Sequence, residues 1–222
     1  MSHPLQYVLA THNAAKIAEY ADIVGHYAPG WAAIAPSGAE PAETGTSFAE
    51  NALIKARAAH AGAGGLCLAD DSGICVDVLG GAPGIFSAYW GGRAKDPAVN
   101  RRVLLEQLAD IPAPHRGAHF ASALALIEPD GTEHIAEAKW HGRLAVAPAG
   151  DDGFPYDSIF VPLTPVAPPG AKLAGAGLAG GAARGGDART VAQWDSRTRH
   201  LASHRALAFR RLVGVFAKQR SE

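Results

Sequence analysis

Asp70 and Asp71 stand side by side in the run Leu68-Ala69-Asp70-Asp71-Ser72-Gly73-Ile74. Adjacent carboxylates repel each other, and desolvation sharpens the repulsion. Such a pair belongs where a cation, or a proton in transit, needs it. The arrangement points to a hard-metal site at the mouth of a sheet, and a hard metal points to phosphate chemistry. The acids end the apolar stretch Leu66–Ala69, and Ser72-Gly73 reads as a tight turn before a second apolar run, Ile74–Leu79. The segment therefore predicts a hairpin, with Cys67 and Cys75 as reduced core thiols able to approach across it.

Four other constellations could share a site with these acids. Thr11-His12-Asn13-Ala14-Ala15-Lys16 joins a strand to a helix start, where backbone N–H groups and the helix dipole suit an anion. Lys16 adds a point charge there and Asn13 a neutral donor. Asn51 and Lys55 are four apart on a predicted helix and share one face, with Glu43 shortly before them in a Gly-containing loop. Gly153-Phe154-Pro155-Tyr156-Asp157 offers aromatic planes beside a polar edge, a combination that suits a nucleobase. Ser203-His204-Arg205 opens a helix. Its hydroxyl can cap that helix, and the arginine fork matches a carbonyl or a phosphate. Taken singly, each has a plain structural reading as a turn, a solvated lysine or a cap.

The elements that must position these groups can be read from apolar spacing. Gln6–Ala10 predicts a strand, and Asn13 caps a helix carrying Ile17, Tyr20, Ala21 and Val24 that Gly25 ends. Pro29–Gly45 reads as mostly loop. Ser47-Phe48-Ala49-Glu50 is a capping box before a helix Asn51–Ala61. Asp96-Pro97 starts a helix with Val99, Val103, Leu104 and Leu108 on its apolar stripe. Phe120–Ile127 and Glu133–Trp140 are strands about the turn Pro129-Asp130-Gly131, continued by His141–Val146, and Ser158–Val161 is a last short strand. Residues 162–189 are Pro-, Gly- and Ala-rich and read as a surface insertion. The final helix, capped by Ser203, buries Ala208, Leu212, Val215 and Phe216. Helices alternate with strands early and hairpins dominate later, which predicts an α/β fold with a mixed sheet.

Bulk composition narrows the function classes. The chain has 222 residues, 48% of them hydrophobic, and a net charge of -1. That supports a sizeable core in one domain spanning 1–222 and disfavours a non-specific nucleic-acid binder. No apolar stretch approaches the ~20 residues that span a bilayer, and Met1-Ser2-His3-Pro4 lacks a secretory pattern, so a cytoplasmic protein is expected.

In this order the motifs resemble the inosine/xanthosine triphosphate pyrophosphatase family. The matching pieces are Leu-Ala-Thr-x-Asn-x-x-Lys at 9–16, Glu-Thr-Gly at 43–45, and Ser-Phe-Ala-Glu-Asn-Ala-Leu-Ile-Lys-Ala-Arg at 47–57. They continue with Ala-Asp-Asp-Ser-Gly at 69–73, Leu-Gly-Gly-Ala-Pro-Gly-Ile at 79–85, Ser87-Ala88, and Ser-His-Arg at 203–205. The resemblance implies a long twisted mixed sheet flanked by helices, two lobes with a central cleft, and a homodimer. It implies Mg²⁺-dependent hydrolysis of ITP, dITP or XTP to the monophosphate and pyrophosphate.

On that resemblance Asp71 activates the attacking water, and Glu43 and Asp71 hold Mg²⁺. Thr11, His12, Asn13, Lys16, Asn51, Lys55 and Ser72 surround the phosphates. Phe154, Pro155, Tyr156 and Asp157 form the base platform, and His204 and Arg205, with Arg199 nearby, donate to the 6-oxo group. Such donors face the 6-amino group of adenine unpaired. The family usually has Gly where this chain has His12, Gly where it has Pro155, and Lys where it has Arg199. These departures keep open a pyrophosphatase for a pyrimidine or another modified nucleotide, and a nucleotide-binding module without catalysis.

Overall fold

The computed structural model describes residues 3–163 and 189–219; the expected insertion at 162–189 lies almost wholly outside the described residues. Six strands form one sheet in the order β2-β1-β3-β4-β5-β6. They are β1 (Leu5–Leu9), β2 (Trp31–Ile34), β3 (Leu66–Val76), β4 (Gly117–Ile127), β5 (Glu133–Leu144) and β6 (Phe160–Pro162). β1 runs parallel to β2 and β3, and the β3–β4, β4–β5 and β5–β6 pairs are antiparallel, so the sheet is mixed as expected.

The largest departure from the sequence reading lies at the acidic segment. Leu66–Val76 is not a hairpin but one strand of eleven residues. Ser72 and Gly73 pair with Ser122 and Ala121 of β4 instead of turning the chain. Gly73 serves close packing: a Cβ there would overlap the Ser87 hydroxyl, which itself accepts from Ile74 N at 3.0 Å. Cys67 and Cys75 lie eight residues apart along this strand, about 26 Å at the strand rise, and both thiols are free.

Two faces of the sheet are covered differently. α1 (Ala14–Tyr27) and α5 (His204–Gln219) cover one face, burying Tyr20, Ile23, Val24, Phe209 and Leu212 against Tyr7, Leu9, Leu68, Leu124 and Leu126. α2 (Phe48–Ala63) covers part of the other through small residues, Ala52 and Ala56 against Ala69, Ala123 and Ala125. Alanine on both sides lets the helix axis approach the strands closely, so Asn51 and Lys55, on the same helix face, are carried onto the middle of β3 at Asp71.

Other details differ from the expected pattern. Ile17 and Ala21 face solvent, and Glu19 and Ile23 take the buried positions. Gly25 does not end α1, which continues to Tyr27. The expected loop at 29–45 contains β2, whose Trp31 packs on Tyr7, Phe209 and Phe216. The capping serine is confirmed, with Ser47 Oγ accepting from Glu50 N, but the Glu50 carboxylate accepts from Thr46. α3 (Pro97–Gln107) begins at Asp96, as expected, and buries Leu104. A short helix, α4 (Ser196–Ala202), precedes α5, and Ser203 caps α5 by accepting from Ala206 N. Val215 of α5 is exposed.

Candidate functional site

A cavity of about 350 Å³ opens where the C-terminal end of β1, the middle of β3, α2 and the N-terminus of α5 meet. Its wall carries Thr11, Asn13, Lys16, Glu43, Lys55, Asp70, Asp71, Ser72, Phe154, Pro155, Tyr156, Asp157, His204 and Arg205. His12, Asn51 and Arg199 are not on that wall.

Strand alternation sends the two acids to opposite faces of β3. Asp71 points toward α2, where its Oδ1 accepts from Lys55 Nζ at 2.9 Å and its Oδ2 from Asn51 Nδ2 at 3.3 Å. Asn51 Oδ1 in turn accepts from Gly45 N at 2.8 Å, which fixes the loop bearing Glu43. Glu43 Oε1 also lies 2.9 Å from Lys55 Nζ. Two carboxylates and one ammonium thus face a single point. Burial pushes the Asp71 carboxyl up, against the pull of Lys55. Lys55 moves up as well: burial opposes its charge, but it feels Asp71, Asp70 and Glu43 together.

Asp70 points the other way, into a buried network under α1 and α5. It meets Lys16 Nζ at 2.7 Å, Arg205 Nε at 3.1 Å, Ser122 Oγ at 2.8 Å and Ser72 Oγ at 3.1 Å. Burial alone would raise its carboxyl, yet Lys16 and Arg205 hold it far below the usual carboxylate range. Arg205 spreads its fork over three partners: Asp70, Ser72 Oγ at 2.6 Å and Glu19 Oε2 at 2.9 Å. Each of its three nitrogens thus donates to a group of the protein, and its face supports the Phe154 ring at 4.5 Å. This places Arg205 behind the expected base platform.

The remaining expected residues sort by the same geometry. Asn13 Oδ1 caps α1, accepting from Ala15 N and Lys16 N, and Thr11 Oγ1 accepts from Asn13 N. Together with the His12 N–Glu40 bond, these leave the amides of 12, 13, 15 and 16 already paired. His12 is exposed and turns to Glu40. The Tyr156 ring is buried, with its hydroxyl donating to Ser87 O. Asp157 is turned inward and accepts from Phe154 N at 2.8 Å, and burial pushes its carboxyl up to about 7. Arg199 lies between Asp152, at 3.0 Å, and Asp157, at 3.7 Å, away from the wall where a base donor was expected. His204 stacks on Phe120 with ring centroids 4.8 Å apart, and its buried Nδ1 has no partner in the protein. Burial, reinforced by Arg205, holds this imidazole neutral.

Several site residues escaped the sequence reading. Glu19 is buried and anchors Arg205; its only sequence signal is an acid within the helical stripe of Tyr20 and Ile23, three residues after Lys16. Lys95 and Asn100 also line the cavity. Lys95 adopts φ 55°, the left-handed region unusual for a side-chain-bearing residue.

The donor set around Asp71 is suited to a hard cation. Glu43 and Asp71 are oxygen donors brought together by Lys55 Nζ, which lies 2.9 Å from each, and Mg²⁺ is bound through one or two carboxylates with water and phosphate oxygens completing its shell. Among the described residues no three His, Cys, Asp or Glu side chains form a metal-binding group.

Comparison with known proteins adds to this geometry. A model described as the Ham1 family matches residues 7–215. A dITP/XTP pyrophosphatase of Leifsonia xyli is 44% identical over 208 residues, covering 94% of each chain. One from Streptomyces coelicolor is 45% identical over 213 residues, 94% of this chain and 95% of the relative. Among solved structures, a nucleoside-triphosphatase / dITP/XTP pyrophosphatase of Mycobacterium abscessus superposes with a TM-score of 0.67 at 38% identity, covering 95% of this chain and 99% of that one. A HAM1 protein of Coxiella burnetii gives 0.75 at 31% identity, covering 96% and 99%.

Proposed function

Because the chain belongs to the Ham1 family, we propose that its cavity hydrolyses non-canonical purine nucleoside triphosphates, dITP, ITP and XTP, to the monophosphate and pyrophosphate. The observation that carries this reading is the convergence of Lys16, Lys55, Glu43, Asp71, Phe154 and His204 on one cavity. Its volume suits a small ligand of nucleotide size.

The residues divide the work. Lys16 and Lys55 bind phosphate oxygens and offset their charge as it shifts toward the leaving group. Asp71 accepts a proton from water as that oxygen bonds to the α-phosphorus. The bond from the α-phosphorus to the bridging oxygen breaks, and pyrophosphate leaves with the electron pair. Mg²⁺ held by Glu43 and Asp71 would supply further charge neutralisation on the phosphates. Asn51 fixes the second oxygen of Asp71, so the base is aimed before substrate arrives.

Base selection falls to Phe154 and His204. Phe154 rests on Arg205 and offers a stacking plane. His204 is neutral and carries an unpartnered nitrogen, and a buried polar atom calls for a partner. With the proton on the nitrogen that meets the base, the imidazole N–H satisfies a 6-oxo group and is left unmatched by the 6-amino group of adenine; the other tautomer reverses the preference. Pro155 on the wall supports a second reading, a shifted base preference, since proline restricts the backbone on which Phe154 is mounted.

The test is a triphosphate panel with Mg²⁺, reading pyrophosphate and orthophosphate separately. The expected result is pyrophosphate release with the highest kcat/KM for dITP and XTP. Orthophosphate as the sole direct product rejects the reading, a lead for a pyrimidine triphosphate selects the second one, and binding without product selects a non-catalytic module. The reading includes a homodimer, checked by light scattering. No helix among the described residues is long and apolar enough to cross a membrane.

A further inference from the structure

On the face of the sheet that α2 leaves uncovered, His119 of β4 and His141 of β5 sit directly opposite one another in register. Their ring centroids are 5.3 Å apart with planes at 37°. Cys75 of β3 is the cross-strand neighbour of His119 on its other side. The pair lies in a depression of about 570 Å³ whose wall includes Phe48, Cys75, Ala121 and Lys139, and which shares no lining residue with the cavity around Asp71.

The spacing matches what two imidazoles need to grip one ion. With a metal–nitrogen distance of about 2.0–2.1 Å, each ring centroid sits about 3.2 Å from the metal, and a tetrahedral angle separates two centroids by about 5.2 Å. We propose that His119 and His141 form a surface site for a borderline divalent transition metal, separate from the hard-cation chemistry at Asp71.

Imidazole nitrogen suits Zn²⁺, Ni²⁺ or Cu²⁺, whereas Mg²⁺ takes oxygen ligands. Asp77 Oδ1 lies 3.9 Å from His119 Nδ1, too far for a hydrogen bond, and adds a negative charge beside the pair. Among the described residues no three such ligands converge, so water would complete the shell of the ion. Lys139, two residues before His141 on the same strand face, and Arg211 oppose the ion, while Glu137 on the same wall favours it.

The test is calorimetric titration of the full chain with Ni²⁺ in excess Mg²⁺, which keeps Glu43 and Asp71 occupied. One saturable site is expected. His119→Gln or His141→Gln should weaken it at least tenfold and the double variant should abolish it, while Lys139→Ala should hold or tighten it. Pyrophosphate release with Mg²⁺ should be unchanged in both histidine variants. The folding of the variants is bypassed by a second measurement on the unaltered protein, in which Cu²⁺ should broaden the NMR signals of His119 and His141 before those of any other histidine. No saturable isotherm, undiminished binding in the double variant, loss of binding in Lys139→Ala, or broadening centred on other histidines overturns the proposal.

Discussion

Asp70 and Asp71 are consecutive residues, yet they belong to different halves of the molecule. Asp70 is held at 2.7 Å by Lys16 from α1 and at 3.1 Å by Arg205 from α5. Asp71 is held at 2.9 Å by Lys55 from α2. A strand turns successive side chains to opposite faces, and β3 passes between the two helical layers. Their mutual repulsion is thereby relieved, and each acid takes one job. Asp70 completes a buried charge network, and Asp71 is left with a second oxygen held only by a long bond to Asn51.

The two acids should respond differently to loss of charge. Asp71→Asn is expected to lower kcat by about 10²–10⁴-fold, the range for a lost general base, with little change in melting temperature. Asp70→Asn leaves Lys16 and Arg205 short of a buried counter-charge and should cost about 3–5 kcal/mol of stability. Steady-state kinetics and denaturant titration of both variants check this; equal stability loss in the two would contradict the division of roles.

Glu19 should act at a distance from the substrate. It neutralises Arg205, whose guanidinium carries Phe154 on its face. Glu19→Gln is expected to lower the melting temperature and to raise KM more than it lowers kcat, because the base platform loosens while Asp71 stays in place. Glu19→Asp should recover part of both losses. A pure kcat effect with unchanged KM would point to a different role.

Gly153 has φ +100°, and a Cβ there would overlap the Asp157 carboxylate. Gly153→Ala therefore meets backbone strain and steric overlap together, at a cost of about 1–3 kcal/mol. The loop must move, and Phe154 moves with it, since Phe154 N is tied to Asp157. The expected readout is a raised KM for dITP with the far-UV circular dichroism spectrum retained.

Burial holds the Asp157 carboxyl near 7, above its ordinary value of 3.8. The folded chain then keeps a proton that the unfolded chain releases across this interval. By linkage, the contribution of Asp157 to stability is complete below 3.8 and is lost as pH rises through about 7. Asp157→Asn keeps the acceptor for Phe154 N and removes the titration. Urea denaturation from acid to neutral pH should show the variant gaining relative to the parent as pH rises, and parallel curves would refute the assignment.

Lys95 stands at the cavity wall in a left-handed conformation, with its Nζ 5.5 Å from the centroid of the Tyr89 ring. A cation there favours binding of a triphosphate. Lys95→Ala should raise KM with kcat nearly constant, and Lys95→Gly, which relaxes the backbone, should be more stable than Lys95→Ala. Steady-state assays with thermal melts of both variants decide the point.

Much of this molecule was legible in one dimension because its signals are local. The caps at Asn13, Ser47, Asp96 and Ser203 depend on a side chain reaching a backbone amide two or three residues on. The pairing of Asn51 with Lys55 on one face follows from helical spacing alone, and the ordered motifs led to the family. The Ser72-Gly73 turn was misread because a dipeptide that favours turns was required here by a distant neighbour, Ser87. The four-residue β2 was too short to show a period.

What tertiary structure alone decided is the use of each charge. In sequence Arg205 is a free fork and Arg199 a candidate base donor; in the fold Glu19, Asp70 and Ser72 occupy the first, while Asp152 and Asp157 hold the second. His204 gained significance the opposite way, by being buried with a nitrogen unpartnered. Residue type sets which bonds a side chain can make. Whether those bonds are already spent depends on partners far off in the chain, 47 residues away for Arg199 and Asp152 and 186 for Arg205 and Glu19, and only packing brings those together.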